Sequence, residues 1–139
     1  METSANERLS PIFWTLKLTF GLVPIVAGLD KFTNLLVQWE KYLAPPFAHL
    51  VPPHGFMLLV GVIEIVAGIG VLLTPWTKLF AWVVAAWLWC IALNLIIGGF
   101  YDIAVRDIVM GISAACFARI TELVPAGQRL RDLRTARAT

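Results

Sequence analysis

Four long apolar runs, at residues 12–32, 55–73, 79–97 and 103–124, occupy most of this 139-residue chain. A helix rises about 1.5 Å per residue, so roughly 20 apolar residues cross a hydrocarbon core ~30 Å thick. Each run has that length. A soluble bundle would carry a polar stripe on every helix. The run 79–97 carries none, and Asn94 is its one strongly polar side chain. The pattern predicts an all-α fold: a single-domain integral membrane four-helix bundle. Residues 12–32 also resemble a secretory signal, with Arg8 and Lys17 as its basic flank, but read better as a true span.

Between the runs, punctuation residues set the expected ends. Ser10-Pro11 predicts the first helix start, with serine as N-cap and proline in the first turn. Pro24 predicts a kink. The longest connection, 33–54, has Leu35, Leu36, Trp39, Tyr42 and Leu43 at helical spacing, followed by Pro45-Pro46 and Pro52-Pro53. It predicts a short amphipathic helix lying in the interface, with Trp39 and Tyr42 at headgroup depth. Thr74-Pro75-Trp76 and Gly98-Gly99 predict tight turns. Asp102 is placed to cap the last span and to pair with Arg106 four residues on.

Composition agrees with a bilayer: 59% of residues are hydrophobic and 14% charged, against about 45–50% and about 25% in soluble domains. The net charge is only +2, but it is unevenly placed. Arg129, Arg131, Arg134 and Arg137 crowd the basic tail, 128–139, and share one side with Arg8 and Lys78. Lys31, Lys41 and Arg106 fall on the other. This bias predicts both termini cytoplasmic and marks the tail as a membrane flank, with no nucleic acid as partner. Cys90 and Cys116 lie within spans, have no C-x-x-C spacing, and read as small buried hydrophobes.

The chemistry concentrates in one half of the membrane. A charge at bilayer depth costs a few kcal/mol and needs a partner, a proton or water. Glu64 lies deepest, about nine residues into the second run. Asp30, Lys31, Asn94, Tyr101, Asp102, Arg106 and Asp107 lie toward the outer side. Two readings stay open. One is a polar clamp in which Asp30, Glu64 and Asp107 accept bonds from Lys31, Asn94 and Arg106. The other is a ligand cavity with Glu64 as its floor and Trp87 in its apolar wall. His49 and His54 flank Pro52-Pro53 without a metal-ligand spacing, so no metal is expected. Haem, nucleotide and serine-hydrolase motifs are missing from the sequence.

These residues lie in strings that resemble the DoxX-like family of small four-helix bacterial membrane proteins. They are Gly28-Leu29-Asp30-Lys31-Phe32, Trp39-Glu40-Lys41-Tyr42-Leu43-Ala44-Pro45, the stretch from Gly61 through Glu64 to Gly68, Asn94 to Gly99, and Tyr101 to Asp107. The resemblance implies a bacterial inner-membrane location. It also implies an accessory role in a redox-linked membrane complex, because family members accompany terminal oxidases, quinone-dependent thiosulfate oxidation and thiol-redox assemblies. The expected function is therefore an accessory subunit or a protein binding a small amphiphile, quinone or lipid. The alternatives are a quinone-coupled oxidoreductase component acting on a small sulfur anion, and a small-molecule transporter. Expected partners are the lipid bilayer and either a membrane protein complex or further copies of the chain. Asp30, Lys31, Glu64, Asn94, Arg106 and Asp107 carry over as the candidate site, with Tyr101 beside them.

Overall fold

The computed structural model describes residues 2–124 and 126–138, and every regular element among them is helical. Four long helices, α1 (Glu2–Thr33), α3 (Pro53–Leu73), α4 (Thr77–Ile97) and α5 (Tyr101–Leu123), form the bundle. Between α1 and α3 lie a single 3₁₀ turn, Trp39–Tyr42, and the one-turn helix α2 (Pro45–Ala48). A polar helix, α6 (Ala126–Ala138), ends the chain.

Three helices are long and apolar enough to cross a membrane: Glu7–Thr33 within α1, Pro53–Leu73 and Thr77–Ile97. The sequence predicts a fourth span at 103–124. Helix α5 has the length, at 23 residues, but Asp102, Arg106, Asp107, Arg119 and Glu122 place it apart from the other three.

Packing is inverted relative to a soluble protein. Buried positions are often alanine or glycine, including Ala67, Ala81, Ala85, Ala92, Ala104, Ala114 and Ala118, while Leu22, Val26, Leu59, Val66, Leu79, Leu93, Val109 and Ile112 point outward. Small residues let helix backbones approach where lipid, not water, is the surroundings. The close approach is sharpest between α1 and α3. A Cβ on Gly28 would stand 2.6 Å from the Gly61 carbonyl oxygen, and one on Gly68 would stand 2.4 Å from that of Gly21. The bundle is thus two tight antiparallel pairs, α1 with α3 and α4 with α5, joined along a sparser seam. Aromatic residues Phe13, Phe20 and Phe117 fill the core at the end carrying α6, here the tail end. The charged groups buried in the bundle, Asp30, Lys31, Glu64 and Asp107, gather at the opposite, strap end.

Four expectations need correction. Helix α1 begins at Glu2 rather than at Ser10-Pro11 and runs through both Pro11 and Pro24. The Ser10 hydroxyl is unavailable as a cap because it donates to Asp132 of α6. The connection 33–54 does not form one amphipathic helix. Asn34 adopts a left-handed backbone (φ 50°), a conformation asparagine tolerates, and the Asp30 carboxylate captures the next backbone N–H groups. Asp102 does not cap α5, whose N-cap is Phe100, and Arg106 turns to Asp107 instead. Cys90 and Cys116 face outward from the bundle and are not buried. The tight turn at Gly98-Gly99 is as expected. Gly99 (φ 81°) lets Phe100 N–H reach the Leu95 carbonyl at 2.8 Å, closing α4 with a left-handed glycine cap.

Candidate functional site

The site is built at the strap end, where the α1–α3 pair meets the α4–α5 pair. Lys31, in the last turn of α1, points across to α3, and its ammonium donates to Glu64 Oε2 at 2.6 Å. Both side chains are inside the bundle, with relative exposures of 4% and 7%. The close approach at Gly28 and Gly61, one turn away on each helix, brings the two backbones near enough for this bond. From α4, Trp87 directs its indole N–H at the other Glu64 oxygen, a long contact at 3.5 Å. Asp107 of α5 is also buried, near enough for its charge to act on Glu64 and Lys31. Each of the four bundle helices thus contributes one polar group to the seam.

Lys31 has three N–H bonds, yet Glu64 is its hydrogen-bonding acceptor. The rest of its environment is the face of Trp39, whose ring centroid lies 3.7 Å from the ammonium. An ammonium against an indole face is a cation–π contact, strengthened where water is excluded. Trp39 roofs the ion pair. Its own N–H is held by Asp30 Oδ2 at 2.7 Å.

Asp30 therefore has a different task from the one its position suggests. Its carboxylate accepts backbone N–H bonds from Leu35 and Leu36, each at 3.0 Å, and from Val37 at 3.3 Å. Asn94 is likewise an anchor. Its amide donates to the Tyr42 carbonyl at 2.8 Å, and its oxygen accepts from Ala44 N–H at 3.0 Å. Tyr42 packs edge-on against Phe100 with centroids 5.0 Å apart. Residues 34–48 thus form a strap tied to α1 by Asp30 and to the α4–α5 pair by Asn94. A third tie is Glu40, which accepts from Asn34 Nδ2 at 3.2 Å and meets His54 Nδ1 at 2.8 Å. The hydrogen bond from His54 is the largest influence on the Glu40 carboxyl and holds it below the usual glutamate range.

The remaining predicted residues stand apart. Arg106 contacts Asp107 at 3.3 Å, but its side chain is 64% exposed and does not enter the seam. Tyr101 is exposed at the start of α5. Of the groups named for a clamp, Lys31 bonds Glu64 and Arg106 bonds Asp107, whereas Asp30 and Asn94 bond the strap. Among the described residues no three His, Cys, Asp or Glu side chains converge as a metal site.

Beside the roof runs an open apolar groove of about 310 Å³, lined by Leu22, Val23, Val26 and Ala27 of α1 and by Leu36 and Trp39 of the strap. One face of Trp39 covers Lys31, and the residue also lines this groove. Sequence reading missed both the groove and this role of Trp39. The Asp30-to-Trp39 spacing contains no periodicity that signals either.

No curated protein and no solved structure gives a significant match to the chain. The sequence profile of one family, DoxX, matches residues 13–101, a stretch that runs from the middle of α1 to the start of α5 and holds every group of the seam except Asp107. That match covers well over half of the chain, and the protein, with its outward-facing apolar helices, belongs to the DoxX family of membrane proteins.

Proposed function

We propose that this protein is an accessory subunit of a redox-linked complex in the bacterial inner membrane, where it holds a small amphiphile, a quinone or a lipid. In this reading α5 is the fourth span. Its central stretch, 108–118, is free of charge, and Asp107 turns inward while the other charges lie near its two ends. Both termini then lie on the cytoplasmic side and the strap on the periplasmic side, in keeping with the basic tail.

The observation that carries the reading is the double position of Trp39. Its ring stacks on the ammonium of a buried ion pair, and the same residue lines an open apolar groove. Small-molecule sites combine mostly apolar walls with a few placed polar groups. The groove suits an acyl or isoprenoid tail. A carbonyl or phosphate oxygen at its end would meet Lys31 once the indole moves aside. Lys31 would then gain an acceptor where it now has a π face, and Glu64 would keep its charge balanced. A bound quinone would supply electron-carrying chemistry; Lys31 and Trp39 are the residues fitted to hold its ring. The outward-facing cysteines add nothing to the oxidoreductase alternative.

The test is extraction in a lipid-preserving polymer, followed by mass spectrometry of what accompanies the protein. The wild-type chain retains one quinone or phospholipid species in near-stoichiometric amount. Val26→Trp, which fills the groove from an exposed face, lowers that retention at least tenfold with unchanged thermal stability. A wild-type protein that carries no enriched amphiphile, or a Val26→Trp variant that carries it undiminished, refutes the proposal.

A further inference from the structure

The tail end holds a separate surface. Helix α6 contains four arginines and one acid, Asp132. That acid is already engaged: its carboxylate accepts from the Ser10 hydroxyl and from the Trp14 indole N–H, the latter at 3.3 Å. Arg129 is engaged as well. Its Nε donates to the Val124 carbonyl at 2.9 Å, its Nη2 bonds the Thr121 carbonyl, and its guanidinium lies 4.8 Å from the Phe13 ring centroid. These contacts satisfy carbonyls at the C-terminus of α5 and clip α6 across the end of the bundle.

Three arginines remain. Arg131, Arg134 and Arg137 are exposed, and no acid among the described residues pairs with them. Arg8, exposed on α1 close to the Ser10 clip, adds a fourth cation. The other cations nearby differ: Lys78 and Arg119 both bond Glu122. Position limits what the free arginines can meet. Helix α5 ends at Leu123 and α6 begins at Ala126, so the link spans at most about 10 Å. Leu133 is exposed between Arg131 and Arg134. A helix this basic, held within a turn or two of a bundle end, belongs in the headgroup layer, where acidic lipid attracts it.

We propose that α6 is a docked binding helix for anionic phospholipid, with Arg131, Arg134, Arg137 and Arg8 taking the headgroup phosphates. Asp132 sets its orientation, so that the arginines face the leaflet and not the bundle. Guanidinium groups suit this work because their planar fork bonds phosphate oxygens in pairs. This assignment is independent of any ligand at the strap end.

The full-length protein in nanodiscs of phosphatidylcholine and phosphatidylglycerol tests it, with retained lipid counted by native mass spectrometry. The wild-type chain retains phosphatidylglycerol in excess of its share of the disc. Each arginine contributes a factor of roughly five, from the attraction of one basic residue to an acidic leaflet. The triple change Arg131→Gln, Arg134→Gln, Arg137→Gln abolishes the excess, and lysine at the same positions restores most of it. Asp132→Ala loosens the clip: hydrogen exchange across α6 quickens in phosphatidylcholine discs and slows again when phosphatidylglycerol is added. Equal retention of the two lipids by the wild-type chain overturns the proposal, as does a triple glutamine variant that keeps the excess. So does an Asp132→Ala helix whose exchange ignores lipid charge, which would mean that α6 is held by the bundle alone.

Discussion

Lys31 and Glu64 form a buried ion pair, an arrangement whose removal by halves is more damaging than its removal whole. Glu64→Leu strands an ammonium inside the bundle, and Lys31→Met strands a carboxylate. Each is expected to cost about 3–5 kcal/mol, whereas Lys31→Met with Glu64→Leu costs far less than the sum. Thermal unfolding of the four proteins in one detergent measures this coupling; additive losses would show that the pair does not act as a unit. The pairing itself follows from the close approach of α1 to α3, but the need for a partner was legible in the sequence, because a charge inside an apolar run demands one. The tasks of Asp30 and Asn94 were not, since they bond backbone groups of the strap, which every residue type offers. The contacts of Trp39 were hidden for a related reason. Residue type argues for headgroup depth, whereas its direction follows from the path of the chain after Asn34.

At the level of elements, the strap is held by contacts that respond differently to acid. The Glu40 carboxyl sits below its ordinary range, chiefly through the bond from His54. A group depressed on folding stabilises the folded form above its unfolded value, about 4.3 for glutamate, and that contribution disappears as pH falls through the folded value. Acidification below ~4.3 is therefore expected to speed hydrogen exchange at residues 39–44 before it affects α3 or α4. Glu40→Gln should reduce the acid dependence to the part carried by the Asp30 carboxylate, which holds residues 35–37 and Trp39. A strap whose protection is flat through that window would show that Glu40 does not tie it down. The long helices were readable from run length alone, yet their ends were less so. The helical spacing of Leu35, Leu36, Trp39, Tyr42 and Leu43 imitates an amphipathic helix, and one carboxylate at the end of α1 suffices to divert those N–H groups.

For the whole molecule, the sidedness of charge carries the proposed orientation. Leu50 is exposed beyond the strap and Arg137 is exposed on α6, at opposite ends of the bundle. With Cys90 and Cys116 first replaced by alanine, an impermeant maleimide should label Leu50→Cys in intact spheroplasts. It should label Arg137→Cys only in inverted vesicles. Labelling of both from one face would remove α5 as a span, because two crossings, α3 and α4, leave Leu50 and Arg137 on the same side. The gathering of membrane-depth charges toward the strap half was visible in the order of residue types. The division of the bundle into two pairs was not, because it depends on which glycines and alanines face each other.

That division has a consequence for how the protein is made. Each tight pair joins helices that are neighbours in the chain, α1 with α3 and α4 with α5. A nascent polypeptide can therefore complete its first hairpin in the membrane before the second has left the ribosome, using only local encounters. Lys31 meets Glu64 within that first hairpin, so its charge is matched early. Asp107 and Trp87 arrive with the second hairpin, and Asn94 then fastens the strap across both halves. The polar seam, drawn from both hairpins, can close only when the second has joined the first.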